Sequence, residues 1–231
     1  MGAPKPRAWW ALRQFGPFIH APVGGPWSFG SRPSYVAAPE QGRSGDVAAS
    51  TQQLVLMYLE GFGPASAHDI AQFSVYYRPL VREALESLGA AVERLQGPNG
   101  NELFDARGGL LPPEDSPAPP RLMAMWDSAL LAYADRSRIV PPEYRTLVMR
   151  INGDVLPTLL VDGYVAGVWR PAERGIEATA FHRLSRETWH GLEAEARRLV
   201  AFLADRDQMV YRRYAHWWTR LPSAEVRVLG R

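Results

Sequence analysis

Two tyrosines and two arginines whose side chains can bind phosphate lie within one short segment of the chain. They are Tyr76, Tyr77, Arg78 and Arg82. The planar guanidinium group of arginine matches the geometry of a phosphate, so these residues predict contacts with a nucleic-acid backbone. Glu83 and Glu86 share the same predicted helix, and their charge would repel a polyanion. An ordinary solvated helix face is therefore the alternative interpretation.

Three further arginines lie beside predicted turns. Arg94 belongs to a hairpin that also carries Glu93, so its surroundings favour neither binding nor repulsion. Arg170 and Arg174 lie beside the turn of a second hairpin, and a projecting hairpin of this kind can enter a DNA groove. A turn that only increases solubility explains the same two arginines equally well.

A charged cluster further along the chain has the residue types for a different chemistry. It consists of Asp127, Asp135, Arg136 and Arg138. A carboxylate pair can carry out general acid–base catalysis. The structural interpretation is preferred, because an aspartate such as Asp127 readily caps a helix and Arg136 can pair with an acid.

No pattern in the sequence indicates a metal, a cofactor or an identifiable catalytic group. The histidines are scattered, without the i, i+4 spacing of a helical metal site; they are His20, His68, His182, His190 and His216. The chain has no cysteine, which excludes disulfides and thiolate metal sites. A glycine-rich phosphate loop and a nucleophile elbow are also absent from the sequence. We therefore expect no cofactor and no metal, and the catalytic residues stay unknown.

The segment from Ser50 to Phe104 would position the tyrosines and the first arginines. Two capping-box spacings, Gly63-Pro64, Pro79 and Gly89 divide it into three short helices, and Asn99-Gly100 predicts a hairpin. The capping pairs are Ser50 with Gln53 and Ser66 with Asp69. Three helices and a hairpin in this order predict a winged helix, whose third helix can enter the major groove.

A second folded region is predicted from residue 122 onwards. At least four antiparallel strands joined by short turns are predicted, enough to form a small antiparallel β-barrel or sheet, and the barrel is the preferred prediction. The strand-like runs are Leu122–Trp126, Tyr144–Asn152, Leu156–Val161, Tyr164–Arg170 and Ile176–Arg183. Ser185 precedes a long helix with an apolar stripe that contains Trp189 and Leu192, and this helix closes the barrel. The tail after Asp207 mixes arginines with aromatic residues, which predicts either a docking helix or a single-strand binding surface.

Composition bounds the organisation of the 231-residue chain. Prolines between residues 107 and 121 predict a stiff linker, which separates a winged helix at 49–106 from the barrel region at 122–231. Residues 1–48, rich in proline and glycine, suggest the end of a preceding module. The net charge is +2 and Lys5 is the only lysine, which indicates either phosphate recognition or a GC-rich bacterial genome. Without a signal peptide or an apolar run of about 20 residues, a cytoplasmic protein is expected.

Several strings of residues resemble one bacterial family. They are Leu56–Ala71, Trp126-Asp127, Ala134–Arg138 and Leu156–Arg170. The family is that of winged-helix DNA-binding-domain proteins that include the AlkZ-type DNA glycosylases, and the resemblance extends over most of residues 10–205. It implies tandem winged helices followed by a small β-barrel, and a relation to enzymes that excise alkylated or crosslinked bases.

The chain departs from this family at the residues that matter for catalysis. The resemblance implies a Gln-x-Gln or Gln-x-Asp pair in the first winged helix, where it orients the attacking water. None of the glutamines has Gln or Asp two places on: Gln14, Gln41, Gln52, Gln53, Gln72, Gln96 and Gln208. No catalytic residue can therefore be assigned, and the first module is expected to be missing.

These observations lead to an α+β protein that binds double-stranded DNA, needs no metal and has no membrane segment. A relation to base-excision repair is expected, without catalysis by this chain. Two alternatives stay open. A transcription regulator would require a dimer and a palindromic site, and a truncated family member would act only as a scaffold.

Overall fold

Residues 6–23, 34–39, 46–204, 218 and 220–231 are described in a computed structural model, which has a mixed α+β architecture. The helices are α1 Pro6–Phe15, α2 Val47–Phe62, α3 Ala67–Ser74, α4 Arg78–Leu88, α5 Ser128–Leu131, α6 Arg145–Val148 and α7 Arg186–Phe202. The strands are β1 Phe18–Ala21, β2 Ser34–Ala37, β3 Val92–Gln96, β4 Glu102–Ala106, β5 Arg121–Met123, β6 Thr158–Val161, β7 Tyr164–Pro171, β8 Ile176–Ala180 and β9 Glu225–Leu229. None of the described helices combines the length and the apolar character that a bilayer crossing requires.

The first helices and their caps follow the sequence signals closely, with one correction. The capping box of Ser66 and Asp69 at the start of α3 is confirmed, with the Ser66 amide donating to the carboxylate at 2.8 Å. The box predicted for Ser50 and Gln53 is wrong, because α2 begins at Val47 and is capped by Asp46. Asp46 accepts the amides of the first turn, and an aspartate is among the strongest N-caps.

Helices α2 to α4 pack with the β3–β4 hairpin around one apolar core. Val55, Leu59, Ile70, Val81 and Phe104 are almost fully buried there. The hairpin pairs Val92 with Ala106 through Gln96 with Glu102, and its turn contains the predicted Asn99-Gly100. Ala65 and Phe104 exchange backbone hydrogen bonds at 2.8 and 2.9 Å, which attaches the hairpin to the α2–α3 connection. The hairpin is therefore held in a fixed place beside α4.

The second region is an open sheet and not the predicted closed barrel. Its five antiparallel strands have the order β5-β6-β7-β8-β9, so β5 and β9 remain its edges among the described residues. Helix α7 packs against both edge strands. The Trp189 Nε1–H donates to Glu225 of β9 at 2.9 Å, and Arg121 of β5 lies 3.6 Å from Glu195 of α7.

Two segments of this region differ from their predictions. Strand β9 lies in the tail, where a docking helix or a stacking surface was expected, and it pairs with β8 from Ile176 with Leu229 to Ala180 with Glu225. The predicted strand Tyr144–Asn152 is instead a 3₁₀ turn followed by α6, because Pro142 favours the first turn of a helix. Residues 205–217 of the tail lie outside the described residues.

The segment around α5 joins the two regions through four hydrogen bonds. Tyr58 and Tyr133 donate their hydroxyls to the carbonyls of Ala132 and Phe62 at 2.5 and 2.8 Å. The Asp69 carboxylate that caps α3 also accepts the Ala134 amide at 2.8 Å. Arg138 reaches the Pro64 carbonyl at 3.4 Å. Burial, followed by the charge of Asp69, raises the pKa of Tyr58, so this hydroxyl remains a donor.

Candidate nucleic-acid interface

A groove lies between the start of α3, helix α4 and the β3–β4 hairpin. Its volume is about 380 Å³, and it is open to solvent on one side. The groove is lined by Ser66, Ala67, His68, Arg78, Arg82, Leu85, Glu86, Asn101, Glu102 and Phe104. Arg78 and Arg82 were both predicted from the sequence, and the fold places them in this one groove.

The two arginines make the first half of α4 basic. The first turn of α4 contains no acidic residue, and its Pro79 has no backbone N–H. Arg78 and Arg82 are one turn apart, and like charges at this spacing destabilise an isolated helix by about 0.2–0.5 kcal/mol. Cations at a helix N-terminus are also unfavourable with respect to the helix dipole. No carboxylate of the described residues pairs with either arginine, so an anion would find both available.

The two tyrosines before α4 have different environments. Tyr77 is the N-cap residue of α4 and is 70% exposed, with no side-chain capping bond. Tyr76 is half-buried and packs on the core of helices α2 to α4. The structure thus presents Tyr77 to solvent beside Arg78 and gives Tyr76 a packing role.

Arg94 on strand β3 is engaged by two acids. Its guanidinium lies 2.5 Å from Glu86 of α4 and 3.0 Å from Glu102 of β4, and it stacks over the Phe104 ring at 5.5 Å. The hydrogen bond to Glu86, followed by its charge, raises the pKa of Arg94. The arginine predicted to bind DNA from the hairpin therefore has its charge cancelled by neighbours.

The second predicted pair of arginines is separated by the fold. Arg170 lies opposite Glu177 on the neighbouring strand, 2.7 Å from its carboxylate, and stacks over Trp218 at 5.8 Å. Arg174 is exposed in the β7–β8 turn, where it lines a shallow depression with Arg231. Only Arg174 of this pair lacks an ion pair among the described residues.

The charged cluster after α4 has the structural roles preferred from the sequence, with one exception. Asp127 caps α5 through the Ala129 amide at 2.9 Å, and Asp135 accepts the Ser137 amide at 3.0 Å. Arg136 was expected to pair with an acid, and this expectation is wrong for every acid in the described part of the chain. Its Nη1 contacts the Met149 sulfur at 3.0 Å, and its Nε is buried without an acceptor.

The described residues offer no metal centre. No group of three or more histidine, aspartate or glutamate side chains lies close enough to hold an ion in this part of the protein. The carboxylates of Asp127 and Asp135 are occupied as caps of separate helical turns. The groove beside α4 brings together Arg78 and Arg82, two of the residues predicted to contact DNA, and that role stays a prediction.

A comparison with protein families shows to which family the chain is related. Residues 1–202 match the family model described as DNA glycosylase AlkZ-like. The chain belongs to the AlkZ-like DNA glycosylase family. Its fold is similar to that of the Streptomyces sahachiroi DNA glycosylase AlkZ, with a TM-score of 0.62 and 19% sequence identity. The match covers 79% of this chain and 51% of AlkZ, so the chain spans about half the length of that structure. No curated protein sequence matches the chain.

Proposed function

We propose that this member of the AlkZ-like family is a double-stranded DNA-binding protein related to the repair of alkylated or crosslinked bases. The DNA-binding unit would be a winged helix at residues 49–106. Helix α4 would approach the major groove with its N-terminal half, and the β3–β4 hairpin would serve as the wing. Family membership and the open groove support this proposal.

The observation that carries the proposal is the distribution of charge along α4. Recognition helices contact DNA mainly with their N-terminal residues. In α4 these residues are Tyr77, Arg78 and Arg82, while Glu86 lies in the second half and is held by Arg94. The cations therefore stand where DNA would approach, and the acid in the second half of the helix pairs with Arg94, which it shares with Glu102. The like-charge arrangement reduces helix stability, which is understandable if a polyanion binds there.

Catalysis is not proposed for this chain alone. The glutamine pair that the family resemblance implies has no counterpart among its glutamines. A family enzyme would hydrolyse the N-glycosidic bond after the base has left the stack. Incubation of the chain with an alkylated duplex should produce no abasic sites above background. Production of abasic sites would show that the chain carries its own catalytic groups.

Duplex binding is tested with fluorescence anisotropy at several salt concentrations. The plot of log Kobs against log [salt] has a negative slope. The Arg78→Gln/Arg82→Gln variant should reduce the magnitude of this slope by about 0.9 for each phosphate that the protein no longer neutralises. The matched control is Arg197→Gln/Arg198→Gln on α7, which removes the same charge far along the chain. A slope that changes equally in both variants would contradict a role for α4. A strong footprint at one defined operator would favour a transcription regulator.

A further inference from the structure

One histidine of the groove beside α4 takes no part in the proposed arginine contacts. His68 is the second residue of α3 and lines the groove together with Arg78 and Arg82. The residue is exposed, and no hydrogen bond, ion pair or ring contact within the described part of the chain engages its imidazole. The ring is therefore available to a ligand that enters the groove.

The acid next to His68 in the chain is engaged by other donors. One carboxylate oxygen of Asp69 accepts the amide and the hydroxyl of Ser66 at 2.8 and 2.6 Å. The other oxygen accepts the Ala134 amide at 2.8 Å. Asp69 therefore holds the start of α3 in place and does not pair with the imidazole.

The two acids that line the groove are shared with one arginine. Glu86 and Glu102 lie 2.5 and 3.0 Å from the guanidinium of Arg94. These three side chains keep one negative charge, and the two positive charges of Arg78 and Arg82 exceed it. The groove is thus positive on balance even when its histidine is neutral, and protonation of the ring adds a further positive charge.

An anion is the ligand that suits these side chains. Arg78 and Arg82 belong to α4, and His68 comes from the α3 side of the same groove. Two guanidinium groups disfavour a metal ion by charge repulsion, although a neutral imidazole alone could bind one. A protonated imidazole donates from both ring nitrogens, and charged hydrogen bonds to phosphate are roughly twice as strong as neutral ones. A phosphodiester in the groove would therefore gain most from the protonated ring.

Proton uptake would accompany the binding of such a ligand. Histidine is the side chain whose charge ordinarily changes between about pH 5 and pH 8. A phosphate that lies beside the imidazole of His68 favours its charged form, because opposite charges attract. A proton that is held more tightly in the complex than in the free protein makes the affinity rise as the pH falls.

We infer that His68 is a third phosphate-contacting residue of the α4 groove and that it takes up a proton when duplex DNA binds. The inference rests on the proposed duplex binding and adds a contact from α3 to those of Arg78 and Arg82. A histidine that only occupies an exposed helix position would leave the affinity independent of its protonation. The dependence of DNA binding on pH therefore distinguishes the two roles.

The experiment measures binding of the full chain to a random duplex by fluorescence anisotropy at several pH values and constant ionic strength. The wild-type Kobs should rise between about pH 8 and pH 6, by at most about tenfold per pH unit for one proton. His68→Gln should lose this rise. The matched control His190→Gln removes an exposed histidine of α7 and should keep it.

A permanently charged variant tests the role of the proton itself. His68→Arg should bind at pH 8 about as tightly as the wild type at pH 6, without further dependence on pH. The magnitude of the salt slope in the wild type should be larger at pH 6 than at pH 8 by about 0.9, which corresponds to one additional neutralised phosphate. Because His68 is exposed, a thermal melt should show that both variants fold.

The outcomes separate this inference from the proposed function. Wild-type protein that binds no duplex at any of these pH values would overturn both. Duplex binding with the same pH dependence in the wild type and in His68→Gln would overturn the inference and leave the contacts of Arg78 and Arg82 standing. Equal weakening by His68→Gln at pH 6 and pH 8, without recovery in His68→Arg, would show a role that does not depend on charge and would also overturn the inference.

Discussion

Arg94 of the β3–β4 hairpin and Arg136 beside Met149 have opposite electrostatic surroundings. Arg94 lies between Glu86 and Glu102, at 2.5 and 3.0 Å. Arg136 has no acid partner in the described residues, and Arg145 lies near enough to repel it. Exposed ion pairs contribute little to stability, but they cancel the electric field that attracts DNA. An arginine therefore counts toward DNA binding only when no carboxylate holds it.

The same distinction applies within α4. Arg78 and Arg82 line the groove without ion pairs among the described residues, whereas Glu86 in the second half of the helix is bound to Arg94. The hairpin supplies Arg94, which pairs with Glu86, and also Glu102, which lines the groove, so these three side chains together keep one negative charge. The hydrogen bonds around α5 join the region of this groove to the sheet region.

The largest expected effect concerns the joint between these regions. Asp69→Ala should lower the free energy of unfolding by about 2–4 kcal/mol, because it leaves both the Ser66 amide of the α3 capping box and the Ala134 amide without their acceptor. Urea denaturation measures this difference. The control Asp46→Ala removes only a helix cap and should cost about 1 kcal/mol. Equal losses in the two variants would show that the bond to Ala134 adds no stability.

Arg136→Met tests the comparison at an arginine that has no acid partner among the described residues. Methionine replaces the hydrogen bond to the Met149 sulfur with an apolar side chain and removes an unsatisfied buried donor, so the melting temperature should equal or exceed that of the wild type. DNA affinity should fall at the same time, because an arginine without a carboxylate partner among the described residues is removed. Calorimetry and anisotropy on one preparation provide both values.

Arg94→Met is the matched variant for this experiment. It leaves Glu86 and Glu102 without their cation, so the groove becomes more acidic and DNA binding should weaken without any gain in melting temperature. A rise in melting temperature with Arg94→Met, or a clear fall with Arg136→Met, would remove the proposed difference between paired and unpaired arginines.

Local signals in the sequence predicted the elements that form the groove. The box of Ser66 and Asp69, Pro79 at the start of α4 and Asn99-Gly100 in the hairpin each act over a few residues, so their outcome depends little on the rest of the fold. They identified Arg78 and Arg82 as neighbours on one helix face. The ion pair of Arg94 with Glu86 could not be predicted in this way, because Glu86 belongs to helix α4 and Arg94 to strand β3.

Features that depend on contacts between residues far apart in the chain could not be predicted from the sequence. In strand β9, Val226 and Val228 alternate with Arg227, which is a strand signal. Its partner β8 precedes α7 in the chain, whereas β9 follows this helix, so their pairing is not local. Between residues 135 and 154 of the sequence the arginines outnumber the acids, and this excess of positive charge could have been noticed. The arginines are Arg136, Arg138, Arg145 and Arg150. Whether each arginine would meet a carboxylate depended on how the turns fold onto Met149, and no local pattern encodes that contact.

The smallest expected effect is a gain of binding at the hairpin. Glu86→Gln/Glu102→Gln removes both acids that hold Arg94, so Arg94 should become available to phosphate beside Arg78 and Arg82. The slope of log Kobs against log [salt] should steepen by about 0.9, which corresponds to one additional neutralised phosphate. Glu114→Gln/Asp115→Asn in the exposed linker changes the net charge equally and serves as the control. If both variants tighten binding to the same extent, the effect is one of net charge alone, and the hairpin arginine does not bind DNA when its acids are removed.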